Sequence, residues 1–110
     1  VWATPALYKD IVIVPTDSAR MIGIDRETGS IRWEFFLPGP LWSSSVVVDD
    51  VLIQADCSGN VSGFDVSDTS RKPPLLWKVY IGGCIESTPA VWEGKIIVGS
   101  RDGQVHMAAD

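Results

Sequence analysis

The sequence predicts an all-β chain built of repeated four-stranded antiparallel units. Three observations predict it. Apolar segments too short for helices recur along the chain, polar turns rich in Asp, Ser and Gly separate them, and the whole pattern returns after about 40 residues.

The units are read in order. The first opens at Trp2-Ala3-Thr4-Pro5-Ala6-Leu7, the second at Trp42-Ser43-Ser44-Ser45-Val46-Val47, the third at Glu86-Ser87-Thr88-Pro89-Ala90-Val91. Each puts a small hydroxyl residue (Thr4, Ser44, Thr88) ahead of a short apolar strand. The step is 40 residues from Ala6 to Val46 and 44 from Val46 to Ala90. Polar turns follow at Lys9-Asp10, Asp49-Asp50 and Glu93-Gly94. Continuous apolar runs come next, through Ile11 to Val14, Val51 to Ile53 and Ile96 to Val98. Such runs suit a strand buried on both faces between neighbouring units. A second polar turn (Asp17-Ser18-Ala19, Cys57-Ser58-Gly59, Arg101-Asp102-Gly103) leads into a third strand through Met21, Val61 or Val105. The fourth strand alternates polar and apolar residues and carries one large aromatic anchor, Trp33 or Trp77, so it belongs at an outer edge with one face in water. The second unit is four residues longer in the stretch 67–74, where the extra length falls in a surface loop.

Four short strands in 40 to 44 residues, with no helical periodicity between them, are the content and period of a β-propeller blade. The expected architecture is therefore a partial propeller of about eleven strands, a single fragment over residues 1–110. The first blade covers about 2–38, the second about 42–81, and an incomplete third about 86–110. Propellers close with about four to eight blades. The chain is accordingly expected to be a piece of a longer polypeptide, with the remaining blades, or further copies of itself, as its partners.

Composition narrows the function. The 110 residues are 45% hydrophobic and 21% charged, which is globular material. The net charge of −5 and the scattered basic residues argue against nucleic-acid binding, which needs clustered Lys and Arg. No apolar run approaches the length of about 18 residues needed to span a bilayer as a helix.

One string recurs with particular clarity: Gly23-Ile24-Asp25-Arg26-Glu27-Thr28-Gly29-Ser30-Ile31-Arg32-Trp33. Asp25 and Thr28 suit a turn in which side-chain oxygens accept nearby backbone N–H groups, and Gly29 supplies a positive φ without steric cost. The second copy keeps Gly63, Asp65 and Trp77 but lacks the Thr-Gly pair. The pattern Gly23-x-Asp25-x-x-Thr28-Gly29-x-x-x-Trp33 resembles the tryptophan-docking motif of the pyrroloquinoline-quinone-type (PQQ-like) propeller repeats. Gly23 stands where that family commonly has Ala, and Ser30 where it often has Lys. Thr4-Pro5-Ala6 and Thr88-Pro89-Ala90 resemble the same family's inner-strand opening.

The resemblance covers essentially the whole chain and implies several functions. Some members are quinone-dependent dehydrogenases, others are non-catalytic scaffolds of outer-membrane assembly, and others are sensor or accessory domains fused to enzymes. It also favours an extracytoplasmic setting. Family dehydrogenases use an adjacent Cys-Cys pair, a stacking Trp and calcium-binding carboxylates. No adjacent cysteines occur here, so neither quinone nor calcium is expected within this chain. The expected function is a non-catalytic interaction or ligand-binding module. The alternative is a dehydrogenase whose catalytic residues lie outside this stretch.

Candidate sites follow from where the copies agree and differ. Gly23, Asp25, Thr28, Gly29, Trp33, Asp65 and Trp77 repeat, so they are assigned to structure, with each indole packing between blades. Positions that differ are better binding candidates. Antiparallel strands bring the link into each blade and the turn between its second and third strands to the same end. Trp2, Asp17, Trp42, Asp56, Cys57, Glu86, Arg101 and Asp102 are thus expected on one rim, mixing aromatic, acidic and basic side chains as interfaces do. The alternative is that the Trp residues cap the blades and the charges are solvated. Cys57 and Cys84 belong to the same end, either as a disulfide or as two half-buried thiols.

Overall fold

The computed structural model describes residues 4–85, 88–92, 95–99 and 105–109. They form eleven strands in three antiparallel sheets. The first holds β1 (Ala6–Tyr8), β2 (Ile11–Pro15), β3 (Arg20–Asp25) and β4 (Ile31–Phe36) in that order. The second repeats it with β5 (Val46–Val48), β6 (Val51–Ala55), β7 (Asn60–Asp65) and β8 (Leu75–Tyr80). The third contains β9 (Ala90–Trp92), β10 (Lys95–Gly99) and β11 (Val105–Ala109). Sequential strands pair throughout, as the partial-propeller reading requires.

The two complete sheets share a set of equivalent backbone bonds. The Arg26 N–H donates to Asp10 O and the Val66 N–H to Asp50 O, each at 3.0 Å. At the opposite end the Thr16 N–H reaches Arg20 O at 3.1 Å, and the Asp56 N–H reaches Asn60 O at 3.0 Å. Closing the blade, the Leu41 N–H donates to Thr16 O and the Ile85 N–H to Asp56 O.

Packing between the sheets buries two apolar clusters. Ile11, Ile13, Met21, Trp33 and Phe35 of the first blade meet Leu52, Phe64 and Val66 of the second. Ile53, Ala55 and Val61 of the second meet Ile85 and Ile96, which lead into and belong to the third. Strand β6 therefore feeds Leu52 to one cluster and Ile53 to the other, which is why its sequence does not alternate. Strand β2, its counterpart in the first blade, buries only Ile11, Ile13 and Pro15 fully. Strand β4 alternates as expected, with Trp33 and Phe35 inward and Glu34 and Phe36 outward.

The repeated glycine has a steric explanation. Gly23 pairs with Trp33 and Gly63 with Trp77 across neighbouring strands. A methyl group at either glycine would fall inside the indole ring opposite. Both sheets also carry a register shift beside this pair, between Gly23 and Ile24 and between Gly63 and Phe64. The bulge leaves Arg32 and Leu76 without a cross-strand partner, a local device that the sequence pattern did not signal.

Candidate functional site

The polar residues divide between the two ends of the sheets. At the end holding the turns after β1 and β3, Asp25 organises the recurring string. One carboxylate oxygen accepts from the N–H groups of Glu27 (2.9 Å) and Thr28 (3.0 Å). The other accepts from the Arg32 guanidinium at 2.6 Å. The N–H of Thr28, then Arg32, then the N–H of Glu27 hold the Asp25 carboxyl well below the usual carboxylate range. Gly29, at φ 77°, donates its N–H to Asp25 O at 2.9 Å and closes the turn. Asp65 builds a similar capture in the second copy, accepting from the N–H and the hydroxyl of Ser67.

Arg32 also crosses to the next blade. It donates to Thr69 at 3.1 Å and pairs with Asp10 at 3.0 Å, and the Thr69 hydroxyl donates to Asp10 at 2.8 Å. Lys9 reaches Ser67 O at 3.4 Å. The longer 67–74 loop is therefore more than added surface length: it straps the second blade onto the turns of the first.

The opposite end carries the residues assigned to the rim. Asp17 is exposed in the turn after β2. Trp42 lies half-buried in the link between β4 and β5. Asp56 departs from the expectation of a surface carboxylate, because it is 1% exposed. Its carboxylate accepts from the N–H groups of Ser58 (2.8 Å) and Asn60 (3.2 Å) and so folds inward to form its own turn. Thr16 does the same work in the first blade, bonding the Arg20 N–H at 3.1 Å. Cys57 and Cys84 are joined as a disulfide across 27 residues, which removes the reading of two thiols. The Cys57 N–H also donates to Pro40 O at 2.8 Å, tying this turn to the preceding link. Trp2, Glu86, Arg101 and Asp102 lie outside the described residues. The four described rim residues, Asp17, Trp42, Asp56 and Cys57, fall at one end, and among them only Asp17 presents an exposed charge.

Sequence reasoning missed a groove on the outer margin between the first and second blades. It has a volume of about 730 Å³ and is lined by Phe35, Phe36, Pro73, Pro74, Lys72 and Lys78 among others. No single repeat contains it, since its walls come from β4, β7, β8 and the loop ahead of β8.

Stacked four-stranded sheets, each with a Gly–Trp pair across its outer strands and an Asx turn beside it, define the PQQ-like propeller class. The match becomes particular at the level of the family model: residues 2–109 match the one described as outer membrane protein assembly factor BamB. The chain belongs to that family. Among solved structures it is similar to BamB from Moraxella catarrhalis, with a TM-score of 0.81, 20% identity, and coverage of 96% of this chain and 32% of that one. It is similar in fold to the computationally designed Ika4 protein (TM-score 0.77, 12% identity, 96% of this chain and 63% of that). The designed Ika8 protein matches with the same TM-score and identity over 96% of this chain and 32% of its own. The chain thus spans about a third of the length of the Moraxella protein. No curated protein sequence matches it. The Cys57–Cys84 bond joins distant residues, so it does not supply the adjacent Cys-Cys pair that a quinone site of the dehydrogenase type requires. No helix among the described residues is long and apolar enough to cross a membrane.

Proposed function

We propose that this chain is part of a non-catalytic scaffold propeller that binds other proteins in an extracytoplasmic compartment, without quinone or calcium of its own. The observation that carries the proposal is the match of residues 2–109 to the family described as an outer membrane protein assembly factor. Two features of the chain support it. The carboxylates of Asp25, Asp56 and Asp65 are engaged in building turns, which takes them out of general acid–base work. The disulfide suits an oxidising setting outside the cytoplasm.

The test uses the full-length parent protein with a photo-crosslinking residue at Asp17, in cells. The expected result is a discrete protein adduct, together with no dye-linked alcohol oxidation after quinone and Ca²⁺ are added to the purified protein. Quinone-dependent oxidation with no adduct would replace this reading with the dehydrogenase one.

A further inference from the structure

The groove between the first two blades carries an inference that the rim does not. Its apolar wall is formed by Phe35, Leu37, Pro38, Pro74 and Leu75. Pro38, Pro74 and Leu75 of this wall are exposed. Two lysines, Lys72 and Lys78, line the same groove, and both are exposed. Lys72 lies 5.9 Å from the centre of the Phe35 ring, so its charge stands over the apolar wall. The acidic residue in the lining, Glu34, is already occupied, because Arg20 Nε donates to it at 3.0 Å. A chain of net charge −5 therefore presents a locally positive apolar slot.

An independent observation points to a ligand. Ser62 lines this groove, is 1% exposed, and its hydroxyl has no hydrogen-bond partner among the described residues. A buried hydroxyl left unpaired is costly, and a hydrogen bond from a bound group would relieve that cost. Ser62 sits directly across from Lys78 in the β7–β8 register. At the same place in the first blade stands Ile22, opposite Glu34, so the hydroxyl and the lysine are particular to this groove rather than demanded by the repeat.

We propose that this groove binds an extended peptide segment whose apolar side chain packs on Leu37, Pro38, Pro74 and Leu75 while flanking carboxylates meet Lys72 and Lys78. An extended occupant fits because the slot runs between two strands, β4 and β8, that lie at the edges of their sheets. Ser62 offers a hydrogen bond at its base. The proposal rests on the interaction-module reading but places the contact away from the rim.

The test measures fluorescence anisotropy of a labelled ten-residue peptide alternating Phe and Glu, titrated with the full chain. The controls are a Phe/Lys peptide and phenylacetate as competitor. Binding of the Phe/Glu peptide should weaken about tenfold in the Lys72→Glu/Lys78→Glu variant. Ser62→Ala should weaken it about threefold without loss of thermal stability, since the variant removes an unpaired buried group. Asp17→Ala should leave it unchanged. Equal binding of the Phe/Lys peptide, full binding by the double lysine variant, or competition by phenylacetate at the concentration of the peptide itself would overturn the proposal. Peptide binding lost in Trp42→Ala and retained in the lysine variant would overturn the groove while leaving the interaction module standing.

Discussion

At the scale of single residues, the Gly–Trp pair decides how tightly a blade can close. The indole of Trp33 is buried and lies flat enough over Gly23 that no Cβ fits beneath it. Trp33 further stacks on Phe35, with ring centres 5.7 Å apart, and Phe35 meets Phe64 of the next blade at 4.9 Å. Removing the indole should cost about 3–5 kcal/mol, as for other large buried aromatics. Gly23→Ala should cost about 1–3 kcal/mol through overpacking. The two costs arise from the same space, so in the double variant the methyl group occupies room that the indole has left. Urea denaturation of the four proteins should show the double variant more stable than the summed single effects by at least about 1 kcal/mol. Strict additivity would mean that the glycine serves the backbone and not the ring. Trp77, half-buried beside the second cluster, should tolerate truncation better than Trp33.

At the scale of elements, the turns and links hold the stack together as much as the strands do. The disulfide joins the turn after β6 to the link that follows β8, and the N–H of Cys57 is anchored on the link before β5. One short turn thus fastens both ends of the second blade. Closing a loop of 27 residues should stabilise the fold by about 3.5 kcal/mol through the unfolded chain. Unreduced protein in denaturant should accordingly yield no titratable thiol, and Cys57→Ser/Cys84→Ser should lower stability by roughly that amount. Two titratable thiols would remove the bridge. Sequence alone left the pairing open because two cysteines permit either state. The burial of Asp56 was illegible for a related reason: an Asp in a polar turn looks the same whether its carboxylate faces water or captures the backbone, and only the register shared with Thr16 shows which.

At the scale of the whole molecule, the fold was legible because it is repetitive: positions 40 residues apart fall in the same strand or turn, and the apolar pattern needed no further information. The groove was not legible, because Phe35 comes from the first repeat and Lys72 and Lys78 from the second, and they become neighbours only when two blades stack. The same comparison exposes an open face. Leu52, Gln54, Ser62 and Phe64 of the second blade are all buried, whereas Val12, Val14, Ile22 and Ile24, 40 residues earlier, are only half-buried. Among the described residues, nothing packs on the first blade as the first blade packs on the second. The isolated chain should therefore self-associate in light scattering, and Ile22→Lys/Ile24→Lys should reduce that association. A monodisperse monomer of the unaltered chain would show that this face is content in water.

The strap from the 67–74 loop makes neighbouring repeats unequal. If blades met only through their cores, any one could be exchanged for another with a matching apolar face. The second blade cannot be so exchanged: Thr69 seeks Asp10 and Arg32, and Ser67 O accepts Lys9, all on the blade that precedes it. The serial order of these two units is thus written in a loop as well as in their apolar faces.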